Sequence, residues 1–372
     1  MTKILFLTNN LSGGGAERVL VNLANCMADD EYDITLRVLT NTGENRKNLS
    51  NKVKYEYVFK KNFKGINYLH LLPRKWIYKK VAHGCFDVIV VYLHGVLTKI
   101  VSYAPKAQKT VAYLHANMEK SPFIKSFKDK SAIQNCFKSY DRIVSVSREV
   151  QNSFTQASGI NDKRLVVKYN TFDVDKIKAL ACEPINIKFA EKHGISICTV
   201  GKLETVKGHK RLLSVMKRLI TNGMAAQLTI VGDGPLKSEL QEYINDNNLH
   251  NYVSLVGFDT NPYKYVAKSD LFVCSSFSEG FSSVVAESLI LGVPVVTTDC
   301  AGMREMLGDN NEYGAVVNND EDSLYQGIFD MIANSDKLEH YRKAAQQRGK
   351  FFEPQQTVGA VEKMLEEILN EQ

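Results

Sequence analysis

The chain has 372 residues, of which 44% are hydrophobic and 24% charged, and a net charge of +6. It is too long for one ordinary core, and its composition is that of a folded protein rather than a disordered or fibrous one. Its seven cysteines are scattered with no C-x-x-C pair, which argues against a disulfide framework or a zinc site, and no apolar run approaches the roughly 20 residues of a membrane-spanning helix.

Short β-rich runs alternate with helical stretches along the chain, the pattern of βαβ units and parallel sheets. In the first half strands are expected at 3–8, 34–40, 88–93, 110–114, 142–146 and 165–169, and in the second at 196–200, 227–231, 253–256, 271–274 and 293–297. These are near-continuous apolar runs, as expected of strands covered on both faces. The run from Ile4 to Leu7 is shorter than the about 7–15 residues of a signal-peptide core, so it is read as the first strand and the chain as cytoplasmic. One domain is expected over 1–180 and a second over 181–353, joined through a helical segment containing Pro184, with an amphipathic helix over 354–372 packing back on the first.

Charge is unevenly spread. Residues 1–180 hold 29 Lys/Arg against 15 Asp/Glu, and residues 181–372 hold 18 against 26. The basic excess concentrates between Lys52 and Lys80, among Tyr55, Tyr57, Phe59, Phe63, Tyr68, Trp76 and Tyr78. Such a mixture suits peripheral contact with an anionic membrane, or else a solvated helical face with a few core aromatics. No nucleic-acid-binding motif accompanies the charge, so no nucleic-acid partner is expected.

Ligands of parallel α/β sheets bind at the carboxyl ends of strands, and the chemistry-bearing residues fall there. The first strand runs into Leu11-Ser12-Gly13-Gly14-Gly15-Ala16-Glu17-Arg18. Three glycines let backbone N–H groups approach a phosphate at a helix N-terminus. Arg18 stands where a dinucleotide fingerprint needs its third glycine, and Thr40, Asn41 and Thr42 stand where a ribose-binding carboxylate would sit, so a nicotinamide cofactor is disfavoured. In the second half, 201–208 reads GKLETVKG. This is not a P-loop spacing, but Lys202 and Lys207 can converge on one diphosphate; an exposed basic turn is the alternative.

The most specific stretch is 278–288, SEGFSSVVAES. Glu279 lies on the loop before a helix that starts near Ser282 or Ser283, whose free N–H groups form an anion site. Glu287 lies four residues after Ser283, on the same face of a largely apolar helix, and so needs a partner. The two carboxylates bracket the anion site and can accept hydrogen bonds from sugar hydroxyls.

The GGGAER loop, the Lys202/Lys207 pair, the turn Gly232-Asp233-Gly234-Pro235 and the E-x7-E element of Glu279 and Glu287 together resemble glycosyltransferase family 4, over nearly the whole chain. The resemblance implies the GT-B fold: an α/β architecture of two Rossmann-like domains whose parallel sheets face across a cleft. It also implies a retaining transferase, with a nucleotide-sugar donor, most often a UDP-sugar, and no metal or other cofactor.

On this resemblance Lys202, Lys207, Glu279 and His115 are the expected catalytic set. The lysines would hold the diphosphate, Glu279 the donor sugar and Glu287 the ribose. Gly14, Gly15, Gly201, Gly232, Gly280, Phe281, Ser282 and Ser283 would line the donor, with Gly257 and Phe258 at the base. Domain closure would bring the glycine loop and His115 onto the donor. His94 and Asn117 are placed on the acceptor side, His94 being equally readable as a satisfied loop histidine. Asn170 and Asp173 match the family's interdomain Asn-x-x-Asp pattern or serve as turn and cap residues, and Asp173-Val174-Asp175 is read as a decoy of a metal motif.

Two departures stand out. Lys202 replaces the usual Arg and loses its bidentate fork, and two serines follow Phe281. The expected acceptor is a glycan or lipid-linked saccharide of cell-surface polysaccharide synthesis, at the inner face of the membrane. The alternatives are an epimerase or hydrolase of the same fold, or a non-catalytic nucleotide-sugar-binding protein.

Overall fold

The computed structural model describes residues 1–12, 15–29, 31–119, 121–185 and 194–371. Gly14 and residues 186–193 of the helical segment expected around Pro184 lie outside the described residues, and Pro184 itself is not helical. The chain divides into two compact units, Met1–Phe172 with Pro354–Gln372, and Asp173–Glu353.

The first unit is built on a seven-stranded, all-parallel sheet of β1 (Thr2–Thr8), β2 (Tyr32–Thr40), β3 (Lys54–Phe59), β4 (Val88–Val91), β5 (Lys109–Leu114), β6 (Arg142–Ser145) and β7 (Leu165–Val167). Their order in space is β3-β2-β1-β4-β5-β6-β7. The second unit repeats the plan with β8 (Ile195–Val200), β9 (Ala226–Val231), β10 (Val253–Gly257), β11 (Leu271–Cys274), β12 (Val295–Thr298) and β13 (Ala315–Val317), in the order β10-β9-β8-β11-β12-β13. Central strands such as β4 and β11 are buried along their whole length, which is why they read as unbroken apolar runs. In each unit the strand order reverses beside the first strand, between β1 and β4 and between β8 and β11. A crevice opens at such a switch point, outside the carboxyl ends.

β3 and β13 are the two strands absent from the sequence-based expectation. β3 is an edge strand with no fully buried residue, so its polar and aromatic residues carry no core signal. It is anchored by Arg37, a buried charge in the middle of β2. The Arg37 Nε donates to Glu56 Oε2 at 2.8 Å, and Nη1 donates to the carbonyls of Val81 and His83, each at 2.9 Å. A guanidinium in that position is tolerable only because its donors are satisfied.

The helix Val174–Ala181 corrects the expected boundary at 180. Asp173 caps it, Oδ1 accepting from Lys176 N at 3.1 Å, and it packs on the helices Tyr263–Val266 and Ser283–Ile290 of the second unit. The helix Pro354–Asn370 instead belongs to the first unit. It buries Val358, Val361, Met364, Leu365 and Ile368, and packs on the helix Gly15–Met27. Arg142 Nη2 holds Glu371 Oε1 at 2.7 Å beyond its end.

Candidate functional site

In the second unit the switch point brings together two loops. From the end of β8 the chain passes through Gly201 and Lys202 to Lys207, and Gly208 then starts the helix His209–Thr221. From the end of β11 it passes through Ser275 and Ser276 to Glu279, and Ser282 stands at the N-cap of the helix Ser283–Ile290. The two loops are tied together. Phe277 N donates to the Val206 carbonyl at 2.7 Å, and Ser275 Oγ donates to the Lys207 carbonyl at 3.0 Å. Gly208 adopts φ +67° with its Cα against the Ser275 carbonyl.

The tie places Lys207 Nζ 2.7 Å from Glu279 Oε1, which also accepts from Ser276 Oγ at 2.6 Å. Burial works against the ammonium, but the Glu279 carboxylate outweighs it and holds the Lys207 pKa above its usual value. Lys207 is therefore a fixed positive charge at the switch point. Lys202 is turned outward to an ion pair with Glu204.

Glu287 is buried, and Tyr263 OH lies 3.4 Å from its Oε1, which supplies a partner for that carboxylate. Ser282 is buried as well, yet its hydroxyl makes no capping bond and has no hydrogen-bond partner. An orphaned buried hydroxyl at a helix N-terminus is a group awaiting a ligand or water.

The Gly232-Asp233-Gly234-Pro235 turn braces the Lys202 loop. Leu203 N donates to the Asp233 carbonyl at 3.0 Å and Leu236 N to the Leu203 carbonyl at 3.0 Å. A Cβ on Gly232 would meet the Gly201 carbonyl oxygen at 1.9 Å. Gly232 N donates to the Gly257 carbonyl at 2.8 Å, so this glycine packs the turn and its N–H is not free for a phosphate. A Cβ on Gly201 would make ordinary contacts with the side chains of His209 and Lys207 at 3.8 Å. Phe258, after Gly257, is 71% exposed.

In the first unit the carboxyl edge of the sheet carries a row of polar groups. Thr8 Oγ1, Asn9 Oδ1, His94 Nδ1, Tyr113 OH, His115 Nε2, Ser145 Oγ and Asn170 Oδ1 are all buried atoms with no partner. The His115 ring packs on Tyr92, with centroids 4.7 Å apart, and Tyr92 stacks on Tyr113 at 4.8 Å. Burial drives the His115 pKa down to about 3, helped by His94 and opposed by a bond to the Tyr92 backbone. His94 falls to about 4 through burial alone. Both imidazoles are neutral at pH 7, and His115 presents Nε2 as an acceptor suited to a hydroxyl.

Unfolded histidines titrate near 6.5 and these do so well below, so as pH falls the unfolded chain takes up protons first. The melting temperature of the first unit is expected to drop as pH goes from 6.5 to 4, and His115→Asn should flatten the drop. A profile indifferent to that substitution would rule out the ring as its origin.

Two family models divide the chain between them. Glycosyltransferase Family 4 matches residues 13–176 and Glycosyl transferases group 1 matches residues 185–348. The chain belongs to glycosyltransferase family 4. The Campylobacter jejuni N-acetylgalactosamine-N,N'-diacetylbacillosaminyl-diphospho-undecaprenol 4-alpha-N-acetylgalactosaminyltransferase is 36% identical over 230 residues; the match spans 61% of this chain and 60% of that one. The amylovoran biosynthesis glycosyltransferase AmsD of Erwinia amylovora is 25% identical over 95% of this chain and 97% of its own. Among solved structures, Anabaena HepE in complex with UDP matches with a TM-score of 0.78 at 20% identity, covering 98% of this chain and 100% of that one, a likeness of fold.

In this family-4 chain the structure brings Lys207 and Glu279 into contact and sets Ser283 and Glu287 on one helix with Ser282 at its N-cap, while His115 directly follows β5 and His94 lies three residues beyond the neighbouring β4. Gly15 opens the first helix of the chain. Sequence reasoning missed Ser276, Tyr263 and His209. The only local signal for Ser276 was its place three residues before Glu279. Nothing local marks Tyr263. His209, buried beside Lys207 with Nδ1 unpartnered and its pKa lowered to about 4 by burial, directly follows the 201–208 loop.

Proposed function

We propose that the chain transfers a hexose or N-acetylhexosamine from a UDP-sugar to a lipid-linked glycan, with retention and without a metal, in the synthesis of a cell-surface polysaccharide. The observation that carries this reading is the Lys207–Glu279–Ser276 cluster at the switch point of the second sheet, flanked by the buried Glu287 and the orphaned Ser282 hydroxyl.

Departure of a nucleoside diphosphate develops negative charge. Lys207 and the N-terminus of the helix Ser283–Ile290 supply the positive field that stabilises it, and Lys202 joins them only on leaving its ion pair with Glu204. The bond from the sugar C1 to the diphosphate breaks, and the bond to the acceptor oxygen forms on the same face. The acceptor proton passes to the departing phosphate oxygen. Glu279 Oε1 is already engaged by an ammonium and a hydroxyl, which fixes the carboxylate in place and suits it to holding the sugar.

The lipid-linked acceptor is supported by the surface at 57–80. Tyr57, Phe63, Tyr68, Leu71, Leu72 and Trp76 are all exposed there, among seven Lys/Arg and no Asp/Glu. Tyr55, Phe59 and Tyr78 of the same stretch are part-buried, as the alternative of core aromatics beside a solvated helix expects, whereas Tyr57 and Trp76 are exposed. Exposed aromatics among lysines fit an anionic bilayer. The Campylobacter relative, by its name, acts on a diphospho-undecaprenol-linked saccharide.

Melting curves with UDP, GDP, ADP, NAD and their sugar derivatives, with and without EDTA, test the donor. A UDP-sugar at 100 times its Kd should stabilise the fold by roughly 2.7 kcal/mol, with EDTA making no difference. Stabilisation by NAD alone, or only with a metal, would overturn the reading. Donor consumed without acceptor would turn it into a hydrolase or epimerase. Flotation with anionic vesicles should be salt-sensitive, and its absence removes the membrane contact.

A further inference from the structure

The bend that carries Glu279 is held from inside the second unit by two residues that belong to neither loop of the site. Arg211, buried in the helix His209–Thr221, donates through Nη2 to the carbonyls of Ser275 at 2.5 Å and Ser276 at 3.3 Å, and through Nη1 to Asn319 Oδ1 at 2.9 Å. Asn319, just beyond β13, donates through Nδ2 to the Phe277 carbonyl at 3.0 Å. Three consecutive carbonyls are thus taken by one guanidinium and one amide. The Phe277 ring lies over the guanidinium, 4.1 Å from Cζ to its centroid. Thr298 Oγ1 is a second donor to the Ser276 carbonyl, at 2.5 Å, and Cys300 Sγ a third, at 3.1 Å.

Every acceptor that Arg211 bonds here is neutral. A buried guanidinium in such company adds little to stability over a packed apolar side chain. What the arrangement does supply is position. The bend it holds ends in Ser276 and Glu279, the two side chains that meet at Glu279 Oε1 opposite Lys207.

We propose that Arg211 and Asn319 are positioning residues for the transfer reaction: they hold the 275–277 bend so that the Glu279 carboxylate stands where it meets both Lys207 and the sugar. The proposal rests on the reading of this cluster as the donor site.

The test is a double-mutant cycle between Asn319→Ala and Glu279→Gln. It is read as kcat and donor KM for transfer and as the affinity for UDP alone, with Arg211→Lys as a second probe that keeps the charge and loses the fork. In the parent background Asn319→Ala should lower kcat by about tenfold to a hundredfold, the scale of a displacement near 1 Å in a reacting group. KM and UDP affinity should stay within about threefold, because the nucleotide is held by other groups. In the Glu279→Gln background the same substitution should change kcat less than about twofold, since a clamp that acts through a residue adds nothing once that residue is disabled. Equal losses in both backgrounds, or native turnover in both Asn319→Ala and Arg211→Lys, would overturn the proposal. If Arg211→Lys does not fold, the Asn319 arm decides alone. A parent protein that transfers sugar while the cycle is additive removes only the clamp, whereas a parent that binds no nucleotide-sugar removes the donor site and the clamp together.

Discussion

Lys207→Ala is expected to lower transfer by roughly 2–4 kcal/mol of transition-state stabilisation, about thirtyfold to a thousandfold in kcat, with the fold retained. Lys207 is the one lysine of the 201–208 loop that the structure fixes at the switch point, clamped by Glu279 at 2.7 Å with its positive charge reinforced. Removing it leaves a largely buried carboxylate with the Ser276 hydroxyl as its remaining partner at Oε1, so some stability is lost as well. The two losses separate in the double variant Lys207→Ala/Glu279→Gln. Neutralising the orphaned acid should restore the melting temperature but not the turnover. Steady-state kinetics on protein shown to be folded makes the measurement. Turnover near the parent value would take Lys207 out of the mechanism and leave its ion pair a structural one.

The second large effect is on folding. Gly208→Ala should destabilise the second unit by about 2–5 kcal/mol, from the left-handed conformation and the overpacking together. The residue sits at φ +67°, and an added Cβ would lie 2.0 Å from the Ser275 carbonyl oxygen, so the β8 and β11 loops would have to separate. For a unit of this size each kcal/mol corresponds to roughly 2–4 °C, and a drop of roughly 5–15 °C in its melting transition is expected. Gly223→Ala is the control. It also has positive φ, at +78°, but nothing lies within 4 Å of its would-be Cβ, so only the backbone strain remains. Similar melting temperatures for the two variants would show that the close approach of the two loops is not what the glycine serves.

The paired sheets were legible because buried parallel strands announce themselves as apolar runs: β4, VIVV, and β11, LFVC, need no context. β3 and β13 were not. The first has its polar and aromatic residues on an edge, and the second has three residues, too short for any period. The link was expected as a helical segment containing Pro184, but the helix lies at Val174–Ala181, before the proline, and the spacing of its own residues does not show which unit buries its face. At the site, Lys207, Glu279 and Glu287 could be named from spacing within their own segments. Their partners could not. Lys207 and Glu279 are 72 residues apart, Tyr263 is 24 before Glu287, and Asn319 is 108 beyond Arg211. Such contacts follow from strand order, and strand order is set by the packing of the whole unit.

The return of the helix Pro354–Asn370 to the first unit bears on how the protein is made. The second unit is an insertion within the first, so all of it leaves the ribosome before the helix that completes the first sheet's surroundings. During that interval the surface that will meet Val358, Val361, Met364, Leu365 and Ile368 stands uncovered. The N-terminal unit, although synthesised first, is thus the later of the two to be finished, and a chain stopped at 353 would carry an entire second unit beside an unfinished first.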